Sequence, residues 1–287
     1  MNDVARSPVL RRCADLDRRL VTAVRGIRVL ATVGWPAAAE QRFLEALQRG
    51  REALPRVEYA PPDFSEARAA LAAIATEADA THPLGAYLAR SAASWQTAAR
   101  MLEAVGTAGV TAPSIELYGK PGDPLPGGGQ TNLDAAHYFL EIARELDNGD
   151  PLPEAEYCIP AEVLRDGVRA EVDAFFGDGK VRVEIDPELT AKAAAGATRI
   201  RLRGATCFSE YDRSQLLAHE AFVHTLTALN GRAQPVLKSL SRTAPRATAT
   251  QEGLAVFAEL MSGSIDIARL QRISLRILAI DKALKGA

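Results

Sequence analysis

The chain has 287 residues, of which 47% are hydrophobic and 24% are charged, so it is long enough to bury a large core in one or two domains. Its formal net charge of −2 and its pI near 6.2 argue against general nucleic-acid binding, because that function usually requires a basic face. The most apolar early stretch is interrupted by Arg25, Arg28 and Pro36, which argues against a signal peptide or a membrane anchor.

Apolar residues recur at helical spacing through the first third of the chain. They predict helices over residues 13–31, 37–54, 64–78 and 84–105, separated by breaks that contain proline. The stretch 109–130 is rich in Gly and Pro and predicts a long loop. It lacks the pattern of a phosphate-binding loop, so a structural role is favoured. We therefore divide the chain into a helical N-terminal region, residues 1–108, and a second region, residues 109–287.

The second region mixes helix and strand patterns. Helices are predicted over residues 133–146 and 161–176, a strand over 181–185, and a short helical or coil link over 191–196. Residues 199–203 alternate as Arg-Ile-Arg-Leu-Arg, which predicts another strand. We expect this strand to lie at the sheet edge. It would either pair with an extended substrate or simply be kept soluble by its charges. These patterns predict an α+β fold.

The three cysteines are Cys13, Cys158 and Cys207. Their number is odd and they lack C-x-x-C spacing, so we expect buried or free thiols rather than disulfides. Free thiols are typical of a reducing compartment, and the chain is predicted to be cytoplasmic.

The motif His219-Glu220-Ala221-Phe222-Val223-His224 and the later Glu252 carry the strongest chemical signal. Hydrolytic zinc sites commonly use two His and one Glu as ligands and leave a fourth position for water. His219, His224 and Glu252 could fill that ligand set. Glu220 could then move the proton of the metal-bound water as a general base and acid. The residues therefore predict a Zn²⁺ site with a catalytic carboxylate beside it.

A chance match to His-Glu-x-x-x-His (HExxxH) is common in helical chains, so the motif alone is not specific. Two of the four His in the chain nevertheless fall within it, on a predicted helix from Ser214 to Leu229. We expect His137, the nearest other His, to be a packed or surface residue rather than a ligand.

The spacing of the two motif His predicts a distorted helix. On a regular α-helix, residues five apart point about 140° away from each other, which is too far to share one ion. A π-type turn would bring His219 and His224 back to one side. We therefore expect a break in the α-helical hydrogen-bond ladder between His219 and Thr225.

A second helix is predicted to begin at Glu252 and to carry Glu259 two turns later on nearly the same face. Glu259 could accept a hydrogen bond from a ligating His and fix its tautomer. Exposure at the surface is the alternative for this carboxylate.

Several segments together resemble the bacterial flavohemoglobin-expression-modulating QEGLA-motif proteins, a family related to the tubulin tyrosine carboxypeptidases. They are residues 117–121, 198–203 and 219–224, Asn230-Gly231, Gln234-Pro235, and residues 250–255 with Glu259. The resemblance implies that His219, His224 and Glu252 bind zinc, that Glu220 is the catalytic acid and base, and that the core is zincin-like. It also implies a metallocarboxypeptidase acting on a peptide or protein C-terminus. No nucleic acid or membrane partner is expected.

The family continues past the final predicted helix, residues 270–284, so the resemblance implies that the catalytic region is truncated at its C-terminus. That helix is apolar on much of its circumference, which predicts that another segment covers it.

A carboxypeptidase also needs a cation for the terminal carboxylate, preferably Arg. Arg242 and Arg246, between the two predicted metal helices, are candidates, as are Arg201 and Arg213. Two alternatives stay open, an endopeptidase or aminopeptidase, and a zinc-binding regulatory or scaffolding protein without turnover.

Overall fold

The structure is a computed structural model, which describes residues 7–51, 54–146, 158–189 and 191–286. The α-helices in these residues are α1 (Pro8–Ala23), α2 (Val29–Val33), α3 (Ala37–Gln48), α4 (Ser65–Glu77), α5 (Pro83–Glu103), α6 (Thr111–Tyr118), α7 (Asn132–Leu146), α8 (Ala161–Phe176), α9 (Glu210–Leu216), α10 (Leu226–Ala233), α11 (Thr248–Met261) and α12 (Ile267–Leu284). A π-helix, Leu217–Thr225, joins α9 to α10. The strands are β1 (Arg182–Asp186), β2 (Ala193–Gly196) and β3 (Arg199–Arg203), and 3₁₀ turns lie at Val24–Gly26, Ala108–Val110, Lys238–Ser241 and Pro245–Ala247. The predicted α+β class is confirmed.

The chain forms two compact units. Unit 1 contains Met1–Leu117 and Ala228–Thr248, and unit 2 contains Tyr118–Thr227 and Ala249–Ala287. The chain therefore leaves unit 2 near the start of α10 and returns to it at the start of α11. The division into residues 1–108 and 109–287 stays a prediction.

Unit 1 is built around α1, α4 and α5. The side chains of Leu16 and Leu20 on α1 pack with Leu71 on α4 and Leu88 on α5, and each is at most 2% exposed. Full burial of such a side chain contributes about 2 kcal/mol, so these contacts dominate the stability of the unit. The helix predicted over residues 13–31 begins earlier, at Pro8, and ends at Ala23, before the Val24–Gly26 turn.

The sheet of unit 2 has the strand order β1-β3-β2. β1 pairs with β3 in parallel, and β2 pairs with β3 antiparallel. Alternate residues of a strand point to one face, and Val183, Ile200 and Leu202 are buried accordingly. Helix α8, which has Leu164 and Val168 on its buried face, packs against β1.

The expectation that Arg199–Arg203 is the edge strand is wrong, because β3 lies in the centre of the sheet. The two edge strands are β1 and β2, and the sequence predicted a helical or coil link where β2, Ala193–Gly196, lies. Alanine has low strand propensity and the segment has no polar alternation. Its strand geometry arises from pairing with β3, with Ala193 opposite Leu202 and Ala195 opposite Ile200.

The loop predicted over residues 109–130 is only partly a loop. Its first part forms the 3₁₀ turn Ala108–Val110 and helix α6, which runs to Tyr118. Thr107 accepts a hydrogen bond from the backbone N–H of Gly109 and so starts this helical segment. Positive φ angles follow at Gly119 and at Gly127–Gly129, where the chain does turn as a loop.

The prediction of three free thiols is also wrong, because Cys158 and Cys207 form a disulfide. Only Cys13 is free, and it is buried. Backbone pairing between Ile159 and Phe208, with N–H···O distances of 2.8 and 3.1 Å, aligns the two cysteines. Such pairing between residues about 50 apart is not visible in cysteine spacing. The cytoplasmic location stays a prediction.

Helix α12 packs along α7, which partly covers its apolar surface. Within α12, Ser274 is buried, whereas Leu275 and Ile280 are more than half exposed. Among the described residues, no helix combines the length and the apolar composition that crossing a membrane requires.

Candidate metal centre

The helix that carries the His motif starts at a well-formed cap. The side chain of Ser209 accepts from the N–H of Asp212, and the Asp212 carboxylate accepts from the N–H of Ser209, which together make a capping box. Lys192 forms an ion pair of 2.7 Å with the same carboxylate. These contacts fix the start of the helix two turns before His219.

The segment Leu217–Thr225 is a π-helix, and the predicted departure from α-helical geometry is confirmed. The wider turn brings the rings of His219 and His224 to one side, with their centroids 4.7 Å apart. Regular α-helical geometry would have separated two His at this spacing. The distortion is therefore what allows both imidazoles to face the same point.

Helix α11 brings Glu252 to the two imidazoles. Glu252 Oε2 lies 3.5 Å from His219 Nε2, and Glu252 Oε1 lies 3.6 Å from His224 Nε2. One ligand atom from each of the three residues lies within 4.8 Å of those of the other two. The His side chains are 9% and 19% exposed, whereas the Glu252 side chain is 57% exposed. The cluster is therefore buried on its His side and open to solvent at Glu252.

Glu259 contacts the opposite edge of the His219 ring. Its side chain is fully buried, and Oε1 lies 2.6 Å from His219 Nδ1. The surface alternative for Glu259 is therefore wrong. Gln215 donates to the same oxygen at 3.3 Å, and Arg269 from α12 donates to both carboxylate oxygens.

Burial and neighbouring charges shift the pKa values of the cluster residues in different directions. Burial disfavours protonation of His219, but hydrogen bonds to Glu252 and Glu259 outweigh it and raise its pKa to about 9. Burial and the neighbouring His219 lower the pKa of His224. The hydrogen bond with His219 lowers the pKa of Glu252, so this carboxylate is ionised at neutral pH.

Glu220 lies beside the cluster at the edge of the sheet. Its side chain is buried, and it accepts a hydrogen bond from the backbone of Ala195 in β2. Burial raises the pKa of Glu220, and the nearby Glu252 carboxylate raises it further, whereas His219 lowers it. A raised pKa makes a buried carboxyl group easier to protonate, which suits a group that accepts and releases a proton.

Comparison with known proteins identifies the family. Residues 41–287 match the family described as microtubule-associated tyrosine carboxypeptidase. The chain belongs to this carboxypeptidase family. No curated protein and no solved structure gives a significant match. The narrower resemblance to the QEGLA-motif proteins stays a prediction.

The tyrosine carboxypeptidase family assignment makes the four proposed carboxylate-binding Arg relevant. In unit 2, Arg201 forms an ion pair with Asp186 at 2.9 Å, and Arg213 forms one with Glu171 at 3.2 Å.

The other two, Arg242 and Arg246, belong to unit 1, whereas the metal cluster belongs to unit 2. Arg246 lies over the ring of Tyr87 and donates to Ser91. The role of all four Arg in carboxylate binding stays a prediction.

Sequence reasoning missed three residues that surround the His219–His224–Glu252 cluster. Arg269 and Gln215 contact Glu259, and Gln251 lies next to His224, with a buried Oε1 that has no well-formed hydrogen bond among the described residues. Gln215 lies one helical turn before His219, and Gln251 adjoins Glu252, so their positions could have indicated them. Arg269 gave no such signal, because it lies on a separate helix.

Proposed function

We propose that the chain is a zinc metallocarboxypeptidase that removes a C-terminal residue from a peptide or protein. The observation that carries this proposal is the convergence of His219 Nε2, His224 Nε2 and the Glu252 carboxylate. Two imidazoles and one carboxylate are a common ligand set of hydrolytic zinc. The family description supports the same reaction class.

The donor spacing fits a zinc ion. Zinc bonds of about 2.1 Å in tetrahedral geometry place neighbouring donors about 3.4 Å apart. The two His–Glu252 distances are 3.5 and 3.6 Å. The buried polar atoms near the cluster also fit, since Gln251 Oε1 could accept an N–H from His224 once its other nitrogen binds metal. We therefore assign His219, His224 and Glu252 as the ligands in a zincin-like core.

Glu220 has the proton-transfer role in this proposal. Bound zinc would supply a Lewis acid for the scissile carbonyl and lower the pKa of a coordinated water. Glu220 takes a proton at its carboxylate and returns it to the leaving amine. The Ala195 hydrogen bond orients the Glu220 side chain, and its raised pKa suits both directions of transfer.

The edge of β2 that does not pair with β3 is a candidate substrate-binding edge. The N–H of Arg203 donates to the backbone oxygen of Lys192, so alternate residues of β2 bond to β3, and the backbone polar groups of Ala193 and Ala195 point away from β3. One of these groups, the backbone N–H of Ala195, donates to Glu220. Small Ala side chains allow an extended peptide to approach this edge. The substrate strand proposed from sequence for residues 199–203 is therefore reassigned to β2.

The competing proposal is a zinc-binding regulatory or scaffolding protein without turnover. A structural zinc site usually has four protein ligands, whereas this cluster has three described ones. A buried carboxyl group with a raised pKa next to the first ligand has no role in such a site. The family description and Glu220 therefore favour catalysis.

The test is peptide hydrolysis by zinc-loaded protein, with products identified by mass spectrometry. Substrates are peptides that end in tyrosine with a free carboxylate, together with the same peptides carrying a C-terminal amide. We expect release of the last residue from the free acids only. Glu220→Gln should lower the rate by about 10²–10⁴ while zinc stays bound.

The matched control is Glu210→Gln, which makes the same change at an exposed position in the first turn of α9. It should keep the wild-type rate. Near-full activity of Glu220→Gln would place the base elsewhere. Zinc binding without hydrolysis of any peptide would favour the regulatory alternative.

A further inference from the structure

Arg269 is the cation that neutralises the most deeply buried carboxylate of unit 2. Its Nε lies 3.1 Å from Glu259 Oε2, and its Nη2 lies 2.9 Å from Glu259 Oε1. The Glu259 side chain is 0% exposed and that of Arg269 only 16%. A carboxylate removed from water needs both a counter-charge and donors for its oxygens, and this fork supplies both.

The fork also restricts the orientation of Glu259. With Gln215 and His219 on Oε1 and Arg269 on both oxygens, the carboxylate has partners on each side. It therefore cannot rotate without breaking a buried charge-assisted hydrogen bond. A fixed, ionised Glu259 accepts the N–H of His219 Nδ1, so Nε2, the ring nitrogen that faces Glu252, is the one available to bind a metal.

The backbone holds Arg269 in register with Glu259. Asp266 caps α12 by accepting the N–H of Arg269 at 2.6 Å, which fixes Arg269 in the first turn. The preceding turn is tied to α11, since the N–H of Ser264 donates to the backbone oxygen of Glu259 at 2.8 Å. Gly263, with φ of +67°, makes this return possible.

We infer that Arg269 is a positioning residue that acts through Glu259 to orient His219 for metal binding. The inference rests on the proposed function, because it assigns His219 as a zinc ligand. Helix α12 carries no proposed metal ligand. Through Arg269, the position of this helix therefore affects how tightly the site binds zinc.

The test measures zinc affinity of the metal-free full chain by competition with a chromophoric chelator. Arg269→Gln should weaken zinc binding by about 10–100-fold, as loss of outer-shell partners typically does. Arg269→Lys keeps the charge but loses the fork, so it should give a smaller loss. The control Arg272→Gln removes the same charge one turn later at an exposed position, and should match wild type.

Two further readouts separate positioning from general stability. The visible absorption spectrum of the cobalt(II) form should change in Arg269→Gln and not in Arg272→Gln, because it reports ligand geometry. In a Glu259→Gln background, Arg269→Gln should weaken zinc no further, since its effect passes through Glu259. Far-ultraviolet circular dichroism shows whether each variant folds. If Arg269→Gln does not fold, zinc affinity and the cobalt spectrum are measured on Arg269→Lys instead.

The possible results are distinct. The inference would be overturned if Arg269→Gln bound zinc as tightly as the wild type and its cobalt spectrum were unchanged. If only Arg269→Lys folds, the same two results in that variant would overturn it. The proposed function would still stand in either case. Additive losses in the double variant would also overturn the inference. If the wild-type chain bound no zinc, both the inference and the proposed function would be wrong.

Discussion

At the residue scale, each unit contains a fully buried carboxylate whose partners are backbone or side-chain donors. In unit 2 this residue is Glu259 beside His219, and in unit 1 it is Asp17 on α1. Asp17 accepts the N–H of Lys238 at 2.7 Å and that of Ser239 at 3.2 Å. Burial raises the pKa of Asp17, and these hydrogen bonds lower it. Asp17 therefore joins two parts of unit 1 that are more than 200 residues apart in sequence.

We predict that Asp17→Ala lowers the free energy of unfolding by about 3 kcal/mol, because two backbone N–H groups lose their acceptor. Asp17→Asn keeps one oxygen acceptor and should lose less. Urea unfolding followed by circular dichroism measures both changes. A loss below about 0.5 kcal/mol for Asp17→Ala, a size typical of surface substitutions, would contradict the assigned contact.

At the element scale, the run from α9 through the π-helix to α10 changes geometry twice without interruption. The π-helix places His219 and His224 on one side of the helix. Helix α10 then brings Gly231 against the backbone of another segment of unit 1. A Cβ at Gly231 would overlap the backbone of Leu240 and Ser241. Gly231 is thus required by a close approach of two chain segments.

We predict that Gly231→Ala destabilises unit 1 by about 3 kcal/mol or more, since neither backbone segment can move without cost. The matched control is Gly253→Ala in α11, where an added Cβ meets nothing within 4 Å. That change should be neutral or stabilise by up to about 1 kcal/mol, because alanine favours helix. Chemical denaturation compares the two variants. Equal stability of both would show that the α10 contact is absent.

At the scale of the whole molecule, the only disulfide among the described residues lies in unit 2. It closes a loop of 49 residues that contains α8 and all three strands. Cross-linking a loop of this length limits the unfolded chain and stabilises the folded one by up to about 4 kcal/mol. Unit 1 has Cys13, which is buried and free.

We predict that a reducing agent lowers the thermal midpoint of unit 2, and that the Cys158→Ala/Cys207→Ala variant melts at the lowered midpoint with or without reductant. Differential scanning calorimetry at matched protein concentration measures the shift. A wild-type midpoint that does not respond to reductant, with both thiols shown by labelling to be free, would contradict the disulfide.

The sequence by itself was sufficient for the local features. Apolar periodicity identified most helices, although the break after Ala23 and helix α6 were missed. The five-residue spacing of His219 and His224 was enough to predict a π-helix, because the angle per residue depends only on local backbone geometry. The residue types of the motif likewise indicated which side chains could bind a metal ion.

Only the tertiary structure decided which distant segments meet. The central position of β3, the Cys158–Cys207 bond and the Arg269–Glu259 fork each join residues that no local period relates. A periodic pattern reports which face of an element is buried, but not which partner buries it. Partners are selected by packing and by the satisfaction of buried polar groups over the whole unit, and this is why Ala193–Gly196 became the edge strand beside Glu220.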